Sequence, residues 1–205
     1  MQGVDFVFSI AVLMMSVVIH EVSHGYAADS LGDPTARLAG RLTLNPLKHL
    51  DPFGSVLLPA LTYLFGGFIF GWAKPVPYNP YNLKNQRWGP AVVAGAGPLA
   101  NILIALIFGL AVRFFGNFLA AGFVQIALAI IFINLILAIF NLVPIPPLDG
   151  SKILFAALPY RWHRVQAFLE EWGLFLILLF IFFFFRLLLP VVFLLFRLII
   201  GSGLF

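Results

Sequence analysis

His20-Glu21-Val22-Ser23-His24 sets two imidazoles four residues apart with a carboxylate beside the first. On a helix, positions i and i+4 share a face, so the two rings converge. Two neutral His nitrogens suit a divalent metal such as zinc, and a neighbouring Glu suits the removal of a proton from metal-bound water. The surroundings sharpen this reading. The motif closes an otherwise apolar run, and each acid or base at the centre of a membrane helix costs at least about 2.5 to 3.5 kcal/mol, so such groups persist mainly where they bind or react. The bland alternative is that they cap a helix or line a pore.

A catalytic zinc takes three protein ligands and keeps one position open. The chain has four His and no Cys, which excludes disulfides and Cys-held zinc, haem or iron–sulfur centres. The third ligand must then be another His or a carboxylate, and Asp149, His49 and His163 stand at the borders of apolar segments. Asp149 is favoured. It ends a long apolar run, follows Pro144, Pro146 and Pro147, and precedes Gly150, which together break a helix and let backbone approach closely. Asp-Gly after prolines is also an ordinary turn. Asn141 and Asn101 are candidates to aim an amide at a developing oxyanion, or else to hydrogen-bond between helices.

The elements that position these groups follow from composition. Of 205 residues, 62% are hydrophobic and 10% charged, with 24 Phe, which implies an integral membrane protein rather than a soluble domain. Apolar runs over about 6–28, 90–112, 118–142 and 172–199 are predicted to be helical, the last divided by Pro190. The run over 53–72 holds Pro59 and Gly66-Gly67 and is ambiguous. The expected fold is an all-α polytopic membrane protein of about five transmembrane helices, a re-entrant segment and a short β element near the cytoplasmic face, the last from the alternation over 36–44. One membrane-embedded domain over 1–205 is expected, with a catalytic core over about 5–158 and a hydrophobic hairpin over about 170–205. The net charge of +4 lies mostly in connecting segments. No basic run is interleaved with aromatics, so nucleic acid is not an expected partner.

Charge also predicts topology. Arg37, Arg41 and Lys48 after the first span assign that side to the cytoplasm. If 53–72 crossed the bilayer, Asp149 would finish on the side opposite His24. If it re-enters and returns, Lys74, Lys84 and Arg87 stay cytoplasmic and Asp149 arrives beside the two His. The expected location is the cytoplasmic membrane, with the site toward the cytoplasm.

Three segments together resemble the site-2 proteases, which are intramembrane zinc metalloproteases: His20-Glu21-Val22-Ser23-His24-Gly25, Gly95-Ala96-Gly97-Pro98-Leu99-Ala100-Asn101, and the stretch from Phe140 to Gly150. The stretches 40–49 and 71–77 are similar to a compact prokaryotic branch without a PDZ domain. The resemblance implies one Zn2+ per chain held by His20, His24 and Asp149, Glu21 as general base and acid, and Asn141 as a transition-state stabiliser. It also implies hydrolysis of peptide bonds in or near transmembrane segments of membrane-anchored substrates. A metal transporter or a non-catalytic metal-binding scaffold would use the same ligands, but neither needs a carboxylate at position 21.

Overall fold

The computed structural model describes residues 3–57, 64 and 73–201. Its helices are α1 (Gly3–Ser30), α2 (Thr35–Leu38), α3 (Gly89–Phe115), α4 (Ala121–Asn141), α5 (Asp149–Ala157), α6 (His163–Leu179) and α7 (Leu188–Ile200). Among the described residues, four helical stretches are long and apolar enough to cross a bilayer: Phe8–Ser30, Gly89–Phe118, Ala121–Asn141 and His163–Ile200. The protein is thus an all-helical, multi-pass membrane protein. The last stretch has 38 residues, about 57 Å of helix against a hydrocarbon core of about 30 Å. It changes geometry at a π-helical turn, Phe180–Phe184, and a 3-10 turn, Phe185–Leu187.

Packing is that of a chain whose solvent is lipid. Large apolar side chains such as Leu103, Ile107, Phe114 and Phe123 point outward, while α3, α4 and α7 meet through Ala105, Val112, Ala127, Ile131, Leu135, Val192, Phe196 and Ile200. The interior of this bundle also buries Ser16, His20, Asn101 and Asn134. Those polar groups sit inside because hydrocarbon offers them no partner.

No strand occurs among the described residues. The alternation over 36–44 folds instead into α2 and an irregular turn in which Gly40 has φ +62°. Local hydrogen bonding decides this. Asp33 accepts from the Thr35 amide and hydroxyl, a side-chain-to-backbone pattern that starts a helical turn, and Gly40 then reverses the chain in the left-handed region. The re-entrant segment expected over 53–72 lies mostly outside the described residues, of which Pro52–Leu57 form a π-helical turn.

Asp33 also fastens the approach to the site. α1 ends where the Gly32 amide bonds Asp29 O and the Asp33 amide bonds Ala28 O, with Gly32 at φ +107°, a helix stop that glycine permits. The buried Asp33 carboxylate then accepts from the Asn79 amide at 2.6 Å and Asn82 Nδ2 at 2.8 Å, besides Thr35. Arg41 Nη2 bonds Lys74 O at 2.8 Å, and the Lys74 amide bonds His49 O at 2.9 Å. The segment 73–79 is therefore an extended strap moored at both ends. Burial pushes the Asp33 carboxyl upward, but the hydrogen bonds it accepts outweigh that and hold it below the usual carboxylate range. Its stabilising effect is thus present above the ordinary Asp pKa and lost as pH falls through the lowered one. Asp33→Ala strands several donors and should cost at least about 2 kcal/mol, read as a lower unfolding temperature in detergent; the variant should also lose part of the wild-type destabilisation below about pH 4.

Candidate metal centre

α1 presents His20 and His24 on one face, their ring centroids 4.6 Å apart and their planes at 89°. α3 meets that face with Val93, Gly97 and Asn101, residues spaced by four and so aligned in one stripe. His24 Nδ1 lies 2.7 Å from Val93 O, and His20 Nδ1 lies 2.6 Å from Asn101 Oδ1. Between them Gly97 leaves room: a Cβ there would stand 2.6 Å from His24 Nε2 and 2.7 Å from His20 Cε1. The small residues of 94–100 thus do more than let helices approach. At Gly97 the missing side chain is replaced by two imidazoles.

With both Nδ1 atoms engaged on α3, both Nε2 atoms face the first residue of α5. Asp149 Oδ2 is 3.0 Å from His20 Nε2 and 3.3 Å from His24 Nε2. Gly150 makes this approach feasible, because its Cα packs against the backbone carbonyls of Leu142 and Val143, where a Cβ would collide. His20, Glu21 and His24 each offer a ligand atom within 4.8 Å of the others, but Asp149 Oδ2 lies nearer to both imidazoles than that limit. Glu21 is otherwise engaged. Its Oε2 accepts from the Val76 amide of the strap at 2.9 Å, which ties the carboxylate at the wall of the site.

Asp149 Oδ2 is buried and has no hydrogen bond of acceptable geometry, although two ring nitrogens lie within 3.3 Å. A buried oxygen rarely stays unsatisfied, and an orphan between two nitrogen lone pairs is what a cation would bind. The N, N, O donor set suits Zn2+. Around it is a cavity of about 240 Å³ lined by His20, Glu21, His24, Val76, Asn141 and Asp149 among others.

The other sequence candidates separate cleanly. His49 is buried with Nε2 2.8 Å from Thr43 O, and it does not line the cavity. His163 is exposed at the start of α6. Asn141 lines the cavity, and its Nδ2 donates to Leu137 O of its own helix at 2.9 Å. Asn101 faces His20 rather than the cavity. Sequence reasoning missed Tyr78 and Lys152, which also line the cavity. The signal for Lys152 was available, since it stands three residues after Asp149 on one helix. Tyr78 carried no such signal because the strap's path depends on long-range bonds. Burial, and then the nearby Asp149 carboxylate, push the Tyr78 hydroxyl upward, so it remains a proton donor near neutral pH.

Comparison with known proteins finds relatives named as zinc metalloproteases. The chain is similar to a Bacillus subtilis protein named "Putative zinc metalloprotease YwhC", 40% identical over 173 residues that make up 81% of this chain and 76% of the relative. It is 34% identical over 169 residues to "Putative zinc metalloprotease Rip2" of Mycolicibacterium smegmatis, which covers 82% of this chain and 64% of that protein. No solved structure matches. A model described as Peptidase family M50 matches residues 8–117 and 110–184, most of the chain, and the motif helix, the glycine stripe and the Asp149 turn all fall inside those matches. The chain belongs to peptidase family M50.

Proposed function

We propose that the chain is an intramembrane zinc metalloprotease in which His20, His24 and Asp149 hold one Zn2+, Glu21 moves the proton, and Asn141 binds the carbonyl oxygen as it gains charge. The observation that carries this is the buried, unsatisfied Asp149 Oδ2 between two imidazole nitrogens. Zinc, when bound, supplies a Lewis acid that polarises the scissile carbonyl and acidifies water. Glu21 takes a proton from the attacking water as its oxygen adds to the carbonyl carbon, then delivers that proton to the amide nitrogen as the C–N bond breaks. The Val76 amide holds one oxygen of Glu21 and leaves the other for this shuttle. Asn141 keeps one N–H beyond the bond to Leu137 O, which is available to the oxyanion.

The substrates are membrane-anchored proteins, cut in or near their transmembrane segments, because His20, Glu21 and His24 lie within an apolar helical stretch long enough to cross a bilayer. One membrane domain carries the whole apparatus. The site faces the cytoplasm, the side on which the Lys74, Lys84 and Arg87 charges would then lie. Since the sequence has no Cys, a single Cys at Lys84 tests this directly: labelling by an impermeant reagent only from outside would overturn it. The scaffold or transporter alternative is disfavoured by Glu21, which the metal does not need and hydrolysis does.

Zinc analysis and cleavage of a transmembrane peptide in liposomes test the function together. Wild type should carry one zinc and cut; Asp149→Ala should lose both. Full zinc in Asp149→Ala would refute that ligand, and zinc-loaded wild type that cuts nothing across several substrates would favour the scaffold.

A further inference from the structure

The two imidazoles solve the same problem by different routes. A metal ligand must offer a bare Nε2, which requires the proton on Nδ1, and the partner of Nδ1 decides this. For His24 the partner is a backbone carbonyl, Val93 O, which can only accept. For His20 the partner is the Asn101 side chain, whose amide can be turned either way and would present an N–H as readily as an oxygen. Something must fix its sense.

Two further backbone carbonyls do so. Asn101 Nδ2 lies 3.3 Å from Ser16 O and 2.7 Å from Asn134 Oδ1. Asn134 Nδ2 in turn lies 2.9 Å from Ile130 O and 2.9 Å from Ser16 Oγ. Ile130 O cannot donate, so the NH2 of Asn134 must face it and the Asn134 oxygen must face Asn101. Ser16 O imposes the same sense on Asn101. Turning either amide would set NH2 against NH2 or oxygen against a carbonyl, with no water to relieve it, since Ser16, Asn101 and Asn134 are all buried. The chain therefore runs one way, from His20 Nδ1–H to Asn101, from Asn101 to Asn134 and Ser16 O, and from Asn134 to Ile130 O.

We infer that Asn134, with Ile130 O behind it, is a positioning residue for the metal centre: it orients Asn101 so that His20 is held as the Nδ1–H tautomer with Nε2 free. This rests on the proposed role of His20 as a zinc ligand. It differs from a helix cross-link, which would hold α1, α3 and α4 together without regard to the direction of the bonds. Ser16 Oγ, a hydroxyl able to donate or accept, adds little direction, so Ser16→Ala should change metal affinity by less than about threefold.

The test uses the full-length, metal-free protein in detergent, titrated with Zn2+ against a competing chelator. Asn101→Leu should weaken zinc by about 10- to 100-fold, and Asn134→Leu by about 10-fold. Because Asn134 acts through Asn101, the double variant should bind no more weakly than Asn101→Leu alone. A cross-link alone would lower the unfolding temperature of both variants and leave zinc affinity unchanged, and that result would overturn the proposal, as would losses that multiply. Should the leucine variants fail to fold, 15N-histidine NMR of metal-free wild type still decides: His20 protonated at Nδ1 supports the inference and protonation at Nε2 refutes it. Failure of wild type to bind zinc at all would instead refute the metal reading, and the NMR result would stand apart from it.

Discussion

Glu21→Gln should cut proteolysis of a transmembrane substrate by about 10² to 10⁴-fold while one zinc per chain remains. Gln matches Glu in size and still offers an oxygen to the Val76 amide, so the strap has no reason to move. None of the three proposed ligand atoms is altered. What disappears is the ability to accept a proton from water and return it to the leaving nitrogen. The assay pairs kcat with zinc analysis on the same preparation, in detergent or liposomes free of other proteases. Wild-type rates would mean that another group is the base, and coincident loss of zinc would mean that Glu21 ligates the metal.

Gly97→Ala should abolish zinc binding and activity together, with zinc affinity down by at least about 100-fold. A Cβ at this position would stand 2.6 Å from His24 Cε1 and Nε2 and 2.7 Å from His20 Cε1, closer than carbon atoms pack. Neither ring can swing aside without giving up its bond to Val93 O or Asn101 Oδ1. The helix itself loses nothing, since Ala is the better helix former by up to about 1 kcal/mol. Helicity near wild type with no bound zinc is the expected result. Tight zinc binding by this variant would show that the imidazoles sit elsewhere.

The parts of this protein legible in its sequence are those that depend on local spacing. The i and i+4 His pair, the apolar spans and the Asp-Gly turn after three prolines all state their geometry within a few residues. Gly97 was legible only as a small residue, because what fills its space comes from α1. Asn134 gave no sign of its partners, since an Asn within a run of Ile and Leu says that it is satisfied but not by what. The alternation over 36–44 misled for a related reason: period two suggests a strand, but Asp33 bonds forward to Thr35 and sets a helical turn first. The strap 73–79 is held by hydrogen bonds to residues distant in sequence, 33, 41, 49 and 21, so no local pattern could reveal it.

The bond between Glu21 and the Val76 amide has a consequence for what the proposed reaction can cut. An α-helix bonds each of its carbonyls to the amide four residues on, whereas Glu21, tied at the wall of the site by the Val76 amide, is proposed to act on a carbonyl that water can attack. In the proposed reaction a segment must therefore give up helical hydrogen bonds around the scissile bond before Glu21 can act on it. The site would thus act as a gauge of local helix strength in whatever segment drifts against it. Between two segments of the same residues around the cut, the one that more readily spares a turn should be processed faster, a difference measurable by moving one Gly along a model peptide.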